Sequence, residues 1–272
     1  MKRIYSFREC YSKELHEFLE KNRIKYSEKK NEFIHLLIFS ITDDAALAEA
    51  AGAYAEIGCT VDLKYTAAEL SAAPLLRIRP KKEIVDVDNA NEAFTCTCRW
   101  VDSNGIERAR HRVQTASAVV KKAPPRKNAA LLAPTVGNGC LFADGRIKQL
   151  AEGAGMKGIA FLNVLDKKGN AHEDLFQLSS ANVIPRERVA LGYGEKIEAC
   201  PICQKTQILP PAGYELHLHM CAEDVSEDLY MTEDLFGEGI AEPYYLISQG
   251  FYRLLNSEGL LGDVEVLPVV LS

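Results

Sequence analysis

The apolar and polar positions of the chain change period several times, and each change marks an element. Arg3 to Phe7 alternates as a short strand, and Ser12 to Lys21 puts Leu15, Phe18 and Leu19 on one helical face behind a Ser12 N-cap. Ile24 to Ser27 reads as a second strand. Phe33 to Ile41 (FIHLLIFSI) is a nearly continuous apolar run of strand length, and Thr42-Asp43-Asp44 then opens an Ala-rich helix that ends at Ile57-Gly58. Cys59 to Tyr65 alternates again. Strand, helix, strand, strand, helix, strand is the order of the ferredoxin-like unit, whose two helices cover one face of an antiparallel sheet. His35, inside the third strand, is expected to be a paired core or edge histidine and not a ligand.

The pattern then changes character. Thr66 to Leu70 reads as one helical turn and Leu75 to Ile78 as a strand closed by Pro80. Phe94 to Val101 and Ile106 to Val113 alternate around Asp102-Ser103-Asn104-Gly105, a hairpin signal. The basic residues Arg108, Arg110, Arg112, Lys121, Lys122, Arg126 and Lys127 lead through Ala123-Pro124-Pro125, where the linker is placed. The expected fold class is therefore α+β. A ferredoxin-like domain with an appended hairpin occupies residues 1–120, and a second α+β domain occupies residues 121–272.

An internal echo organises that second domain. Leu141 to Val164 and Leu246 to Val269 each read as strand, helix, Gly-x-x-Gly turn and strand. Phe142 aligns with Ile247, Gly145 with Gly250 and Leu150 with Leu255; one gap then brings Gly155 onto Gly259 and Gly158 onto Gly262. Two such units can sit side by side around one core. Gly153, Gly155 and Gly158 match a dinucleotide-binding string, but they close a helix and open a strand, the reverse of what a phosphate site needs. No nucleotide cofactor is expected. No nucleophile elbow, P-loop or H-E-x-x-H is present, and the Glu233-Asp234 pair reads as the acidic start of a helix.

Composition narrows the class. The 272 residues are 47% hydrophobic and 26% charged, enough to bury a large core. A net charge of −6 argues against a dedicated nucleic-acid binder, which needs a basic excess. No apolar run approaches the roughly 20 residues of a membrane span. The start, Met1-Lys2-Arg3-Ile4-Tyr5, has no apolar signal core, so the eight cysteines are expected to be thiols of a reducing cytoplasm.

The most pointed chemistry lies between Cys200 and Cys221. Cys200-Pro-Ile-Cys203 has the spacing of a zinc knuckle, and Tyr214 to Cys221 alternates as a strand that puts His217, His219 and Cys221 on one face. Neighbours on that face stand roughly 6.6 Å apart, so one ion is shared by adjacent members and not by the two ends. The expectation is one zinc held by Cys200, Cys203, His219 and either Cys221 or His217; the alternative is a set of reduced thiols and imidazoles without an ion.

The C-terminal residues carry a resemblance. Cys200-Pro-Ile-Cys203, Leu229-Tyr-Met-Thr-Glu-Asp-Leu-Phe-Gly237, Tyr245-Leu-Ile-Ser248, Tyr252-Arg-Leu-Leu255 and Leu260-Leu-Gly-Asp-Val-Glu-Val-Leu-Pro-Val269 resemble the double-CXXCG-motif and immunity-like proteins of bacterial polymorphic toxin systems. The chain departs from that pattern at Gln204, where the family has glycine, and by lacking a second CxxC. Tyr65-Thr-Ala-Ala-Glu-Leu70 with Pro74-Leu-Leu-Arg-Ile-Arg79 resembles proteins of Firmicutes, which implies a bacterial lineage and no function. The first resemblance implies a small cytoplasmic protein that binds and neutralises a cognate toxin without catalysis. The acidic stretch Glu223 to Glu242 is the expected surface for a basic partner. The alternative is a zinc-dependent enzyme or a regulator that touches nucleic acid. Ligand count separates the two, since four protein ligands close the metal and three leave a position open for chemistry.

Overall fold

The computed structural model describes residues 1–54, 59–81, 83–89, 93–96, 99–101, 107–109, 112–120, 130–134, 140–191, 196–199, 202, 206–210, 213–237 and 241–272. The protein is mixed α+β, with mostly antiparallel strand pairs. It divides into two compact units, Met1–Glu69 with Pro211–Tyr214, and Leu70–Pro210 with Glu215–Ser272. The division falls well before the boundary near residue 120 expected from the sequence. The physical reason is that Leu75–Pro80, which the pattern assigns to the first domain, is hydrogen-bonded on both sides to strands near the C-terminus.

In the first unit β1 (Lys2–Cys10), β2 (Tyr26–Lys30), β3 (His35–Thr42) and β4 (Cys59–Lys64) make an antiparallel sheet in the order β2-β3-β1-β4. Helix α1 (Lys13–Lys21) joins β1 to β2, and α2 (Ala45–Gly52) lies between β3 and β4. Ser12 Oγ accepts the Leu15 N–H at 3.0 Å and Asp44 Oδ1 accepts the Leu47 N–H at 2.8 Å, so each helix starts where a side chain takes an otherwise orphaned donor. Asp43 precedes its cap at φ 56, and its carboxylate accepts the Arg3 N–H at 2.7 Å; a short polar side chain tolerates this left-handed geometry. Leu15 and Leu19 close over Phe7, Leu37, Phe39 and Ile41, with the Phe7 and Phe39 rings stacked at 4.7 Å. The second helix stops at Gly52, earlier than expected, and residues 55–58 lie outside the described set. Helix α3 (Ala67–Ala72) begins behind Thr66, whose hydroxyl and N–H both engage the Glu69 carboxylate.

The second unit opens with β5 (Leu75–Pro80) and β6 (Glu83–Val85). The expected hairpin follows as two antiparallel pairs, β7 (Phe94–Cys96) with β10 (Arg112–Gln114), and β8 (Arg99–Val101) with β9 (Glu107–Ala109). Its Asn104-Gly105 turn and the Ala123-Pro124-Pro125 linker lie outside the described residues. Strand β11 (Leu131–Pro134), β12 (Leu141–Asp144), helix α4 (Gly145–Gly153), β13 (Ala160–Leu165) and β14 (Ala171–Ser179) come next and build a sheet in the order β13-β14-β12-β11-β6. Short strands β15 (Val183–Ile184), β16 (Val189–Ala190) and β17 (Lys196–Ala199) lead to β18 (Thr206–Leu209), β19 (His217–Leu218) and β20 (Leu229–Phe236). Last are β21 (Glu242–Ser248), helix α5 (Gln249–Ser257), β22 (Val264–Pro268) and β23 (Val270–Leu271). The larger sheet runs β17-β18-β20-β21-β5-β22 with β15 beside β20, and β16-β19-β23 form a small third sheet. Glu233 and Asp234 lie inside β20, not at a helix start, because the chain on either side of them pairs with β21 through Met231 and Leu235.

The echo is visible as geometry. Each copy is a strand, a nine-residue helix, a turn and a strand, with a third strand inserted antiparallel between the two: β14 lies between β12 and β13, and β5 lies between β21 and β22. On the far side β11 pairs antiparallel with β12 and parallel with β6, as β20 pairs with β21 and β18. One constant displacement relates the copies, so the gap in the sequence alignment is not needed. It carries the N-cap Asp144 to the N-cap Ser248, Ile147 to Phe251, Ala151 to Leu255, and Gly155 to Gly259, both at φ +66. The helix-ending hydrogen bonds match as well: Gly155 N to Glu152 O and Met156 N to Ala151 O recur as Gly259 N to Asn256 O and Leu260 N to Leu255 O. The inserted strands are exchanged in chain order. Strand β5 precedes the first copy and sits in the sheet of the second, whereas β14 follows the first copy and sits in its sheet. Ile147, Ala151, Phe251 and Leu255 meet in one core with Leu76, Ile78, Leu141, Leu178 and Ile247.

Candidate functional site

The histidine and cysteine stretch belongs to the second unit. Only His217 and Leu218 are strand, a shorter element than the expected run from Tyr214, held between β16 and β23. The alternation nevertheless continues past it: Leu216, Leu218 and Met220 are buried, while His217, His219 and Cys221 are exposed. The three candidate ligands therefore share the solvent side. His219 N donates to Arg188 O at 2.7 Å, which extends the backbone pairing by one residue. Cys221 then starts a 3-10 turn at Ala222–Asp224, its N–H donating to Asp224 Oδ2 at 3.1 Å. The neighbouring Glu223 carboxylate, and then that of Asp224, hold the Cys221 thiol above its ordinary pKa. Any metal at this position has to displace that proton.

Among the described residues no three His, Cys, Asp or Glu side chains converge on one point as a metal ligand set. His217, His219 and Cys221 thus do not make a site by themselves, in line with the spacing of alternate residues on a strand. Cys200 and Cys203 lie outside the described residues. The donor types still fit zinc, since thiolate and imidazole are its preferred ligands and both nitrogen donors are at the surface.

The acidic stretch is largely engaged within its own unit. Asp228 accepts the Lys157 N–H at 2.8 Å and the Ser248 hydroxyl at 2.5 Å. Asp224 faces Arg188 at 3.6 Å, and Glu233 accepts the Arg186 N–H at 3.1 Å. Asp234 is 1% exposed, with Oδ2 3.4 Å from Arg186 Nε. Burial pushes its carboxyl up to about 6, Arg186 draws it partly back, and Glu233 adds to the rise. Cys140 is likewise buried, and burial pushes its thiol up to about 12, the opposite of an activated nucleophile.

A second feature, in the first unit, was hidden in the apolar run. Strand β3 begins at His35, not Phe33, and leaves Phe33 84% exposed and Ile34 49% exposed in the turn after β2. The turn is held rather than loose: Asn31 Oδ1 accepts the Phe33 and Ile34 N–H groups at 2.9 and 2.8 Å, and Asn31 N donates to Ile34 O at 2.9 Å. Beside it His35 stacks on Tyr11 at 4.2 Å and 4°, with Nε2 3.1 Å from Glu28 Oε2. His35 is therefore partnered, as expected, at the start of an inner strand of the sheet. His16 Nε2 and Glu20 Oε1 both engage the Tyr26 hydroxyl, at 2.7 and 2.8 Å. Asn31, a turn former just ahead of the run, was the signal that Phe33 and Ile34 leave the strand.

No protein-family model matches this chain, and none of the curated proteins is similar to it.

Proposed function

We propose that this is a non-catalytic cytoplasmic binding protein of the immunity type, which neutralises a cognate protein toxin in bacteria and carries one structural zinc. The observation that carries the reading is the Phe33–Ile34 tip. Two large apolar side chains stand in solvent on a turn that Asn31 holds in one shape, so little ordering entropy is lost when a partner covers them. This surface suits a protein partner better than Glu223 to Glu242, where Asp228 and Asp234 already serve internal contacts. The strand order β2-β3-β1-β4 with two connecting helices supports a ferredoxin-like reading of the first unit. The burial alternation at His217, His219 and Cys221 supports a zinc held with Cys200 and Cys203.

The binding reading is tested by co-expressing this chain in bacteria with each protein from its neighbouring genes that is toxic when expressed alone. Wild-type protein restores growth and co-purifies in fixed stoichiometry, and Phe33→Asp with Ile34→Asp abolishes both while the variant stays folded. Full rescue by that double variant refutes the tip as the contact. The zinc reading is tested by elemental analysis after purification under reducing conditions. One zinc per chain is expected, with Cys203→Ser losing it and melting lower, because metal binding is then part of the folding free energy. A metal-free wild type that is as stable as Cys203→Ser leaves simple thiols as the better account.

A further inference from the structure

The two copies in the second unit differ most where helix meets sheet. In the second copy Tyr252, Leu255 and Leu260 are 6%, 0% and 8% exposed and fill that junction. Their counterparts in the first copy are Lys148, Ala151 and Met156. Leucine is replaced by alanine, which removes three carbon atoms, and a tyrosine ring is replaced by a chain that reaches outward. The result is a cleft of about 180 Å³ lined by Lys148, Ala151, Glu152, Met156, Ile159 and Phe161. This is below the roughly 300–1,000 Å³ of sites for drug-sized ligands and limits an occupant to a small molecule.

The lining has two chemical parts. Met156, Ile159 and Phe161 pack against the core and supply the smaller, apolar part of a lining that is otherwise polar. The rim carries opposite charges one helical turn apart: the Lys148 ammonium rests 4.2 Å from the centre of the Phe176 ring, and Glu152 Oε1 is 4.0 Å from it, too far for a hydrogen bond. A simple carboxylate would meet Lys148 but lie against Glu152, and a simple amine would meet Glu152 but lie against Lys148. A molecule with both groups on one carbon and an apolar tail matches the whole lining.

We propose that this cleft binds a free amino acid with an apolar side chain. Its carboxylate pairs with Lys148, its ammonium group with Glu152, and its side chain covers Met156, Ile159 and Phe161. The proposal goes beyond the toxin-binding reading and does not rest on it, since it concerns the second unit alone. The test is calorimetric titration of the intact protein with L-leucine and L-phenylalanine, and with the half-molecules 3-phenylpropanoate and phenethylamine. Saturable binding of the amino acids is expected, with each half-molecule weaker by about tenfold or more because one charge-assisted bond is lost. Ala151→Leu installs the residue of the second copy; it should melt no lower than the parent and bind neither amino acid. Lys148→Met, at a half-exposed position that does not threaten folding, should weaken binding by a similar factor and serves where Ala151→Leu fails to fold. No saturable binding at millimolar amino acid, equal binding of the half-molecules, or wild-type affinity in a folded Ala151→Leu or Lys148→Met protein overturns the proposal.

Discussion

The two copies of the second unit share backbone, caps and turn geometry, yet one has a filled helix–sheet junction and the other an open cleft. Asp144 and Ser248 do the same capping work with different oxygens, and Gly155 and Gly259 make the same left-handed turn. Ala151 and Leu255 then separate them. Backbone hydrogen bonds and caps tolerate wide change in the side chains they support, whereas packing density responds to three carbons. The copies are also unequal in dependence. The inserted strand of the first copy, β14, follows β13 through the Asp166–Asn170 turn, while that of the second, β5, arrives from the start of the unit.

That exchange gives the largest expected effect. Ile78 in β5 pairs with Tyr245 and Val266, and Leu178 in β14 pairs with Leu141 and Phe161. Proline at either position removes a ladder hydrogen bond in a strand bonded on both sides and should cost about 3 kcal/mol or more. Hydrogen exchange distinguishes the sites. Ile78→Pro should strip protection first from residues 242–268, and Leu178→Pro first from residues 141–165. Loss of protection at 141–165 in Ile78→Pro ahead of 242–268 would contradict the pairing.

A smaller effect separates the copies by pH. Asp234 lies in β20, beside the second copy, and its folded pKa is raised to about 6 from 3.8 by burial. The native state therefore holds a proton that the unfolded chain has released between these values. Stability tied to that proton is complete below pH 3.8 and is lost as pH rises through 6. Asp234→Asn should raise stability at pH 7–8 by up to about 3 kcal/mol, the size of a two-unit shift, and the gain should vanish toward pH 4. Denaturant titrations across this range give the profile. A gain that grows on acidification would show that the Arg186 contact outweighs burial.

The smallest effect tests equivalence itself. Gly155 and Gly259 share φ +66 and have open space where a Cβ would stand, so Gly→Ala at either should cost about 1 kcal/mol from backbone strain alone. Unequal losses in thermal melts would mean that the turns differ in load despite their matching geometry.

Local chemistry was legible in the chain. Ser12 and Asp44 begin helices because their oxygens are adjacent in sequence to the donors they satisfy, and the 94–114 hairpin and the glycines that close α4 and α5 follow from equally short-range rules. The shared exposure of His217, His219 and Cys221 was legible for the same reason, since alternation is a property of extended backbone. The tertiary structure alone decided what depends on distant partners. Whether Leu75–Pro80 belongs with its neighbours in sequence or between β21 and β22 is set by which strands have free edges, and its own composition is equally apt for both. The same is true of Glu233 and Asp234, read as a helix start but carried inside β20 where its pairing with β21 shifts register between Met231 and Leu235, and of Phe33 and Ile34, apolar enough for β3 but left outside when β2 ended the pairing at His35. The cleft at Lys148 could not be read at all from one copy, because a cavity is the volume that neighbouring chain segments fail to fill.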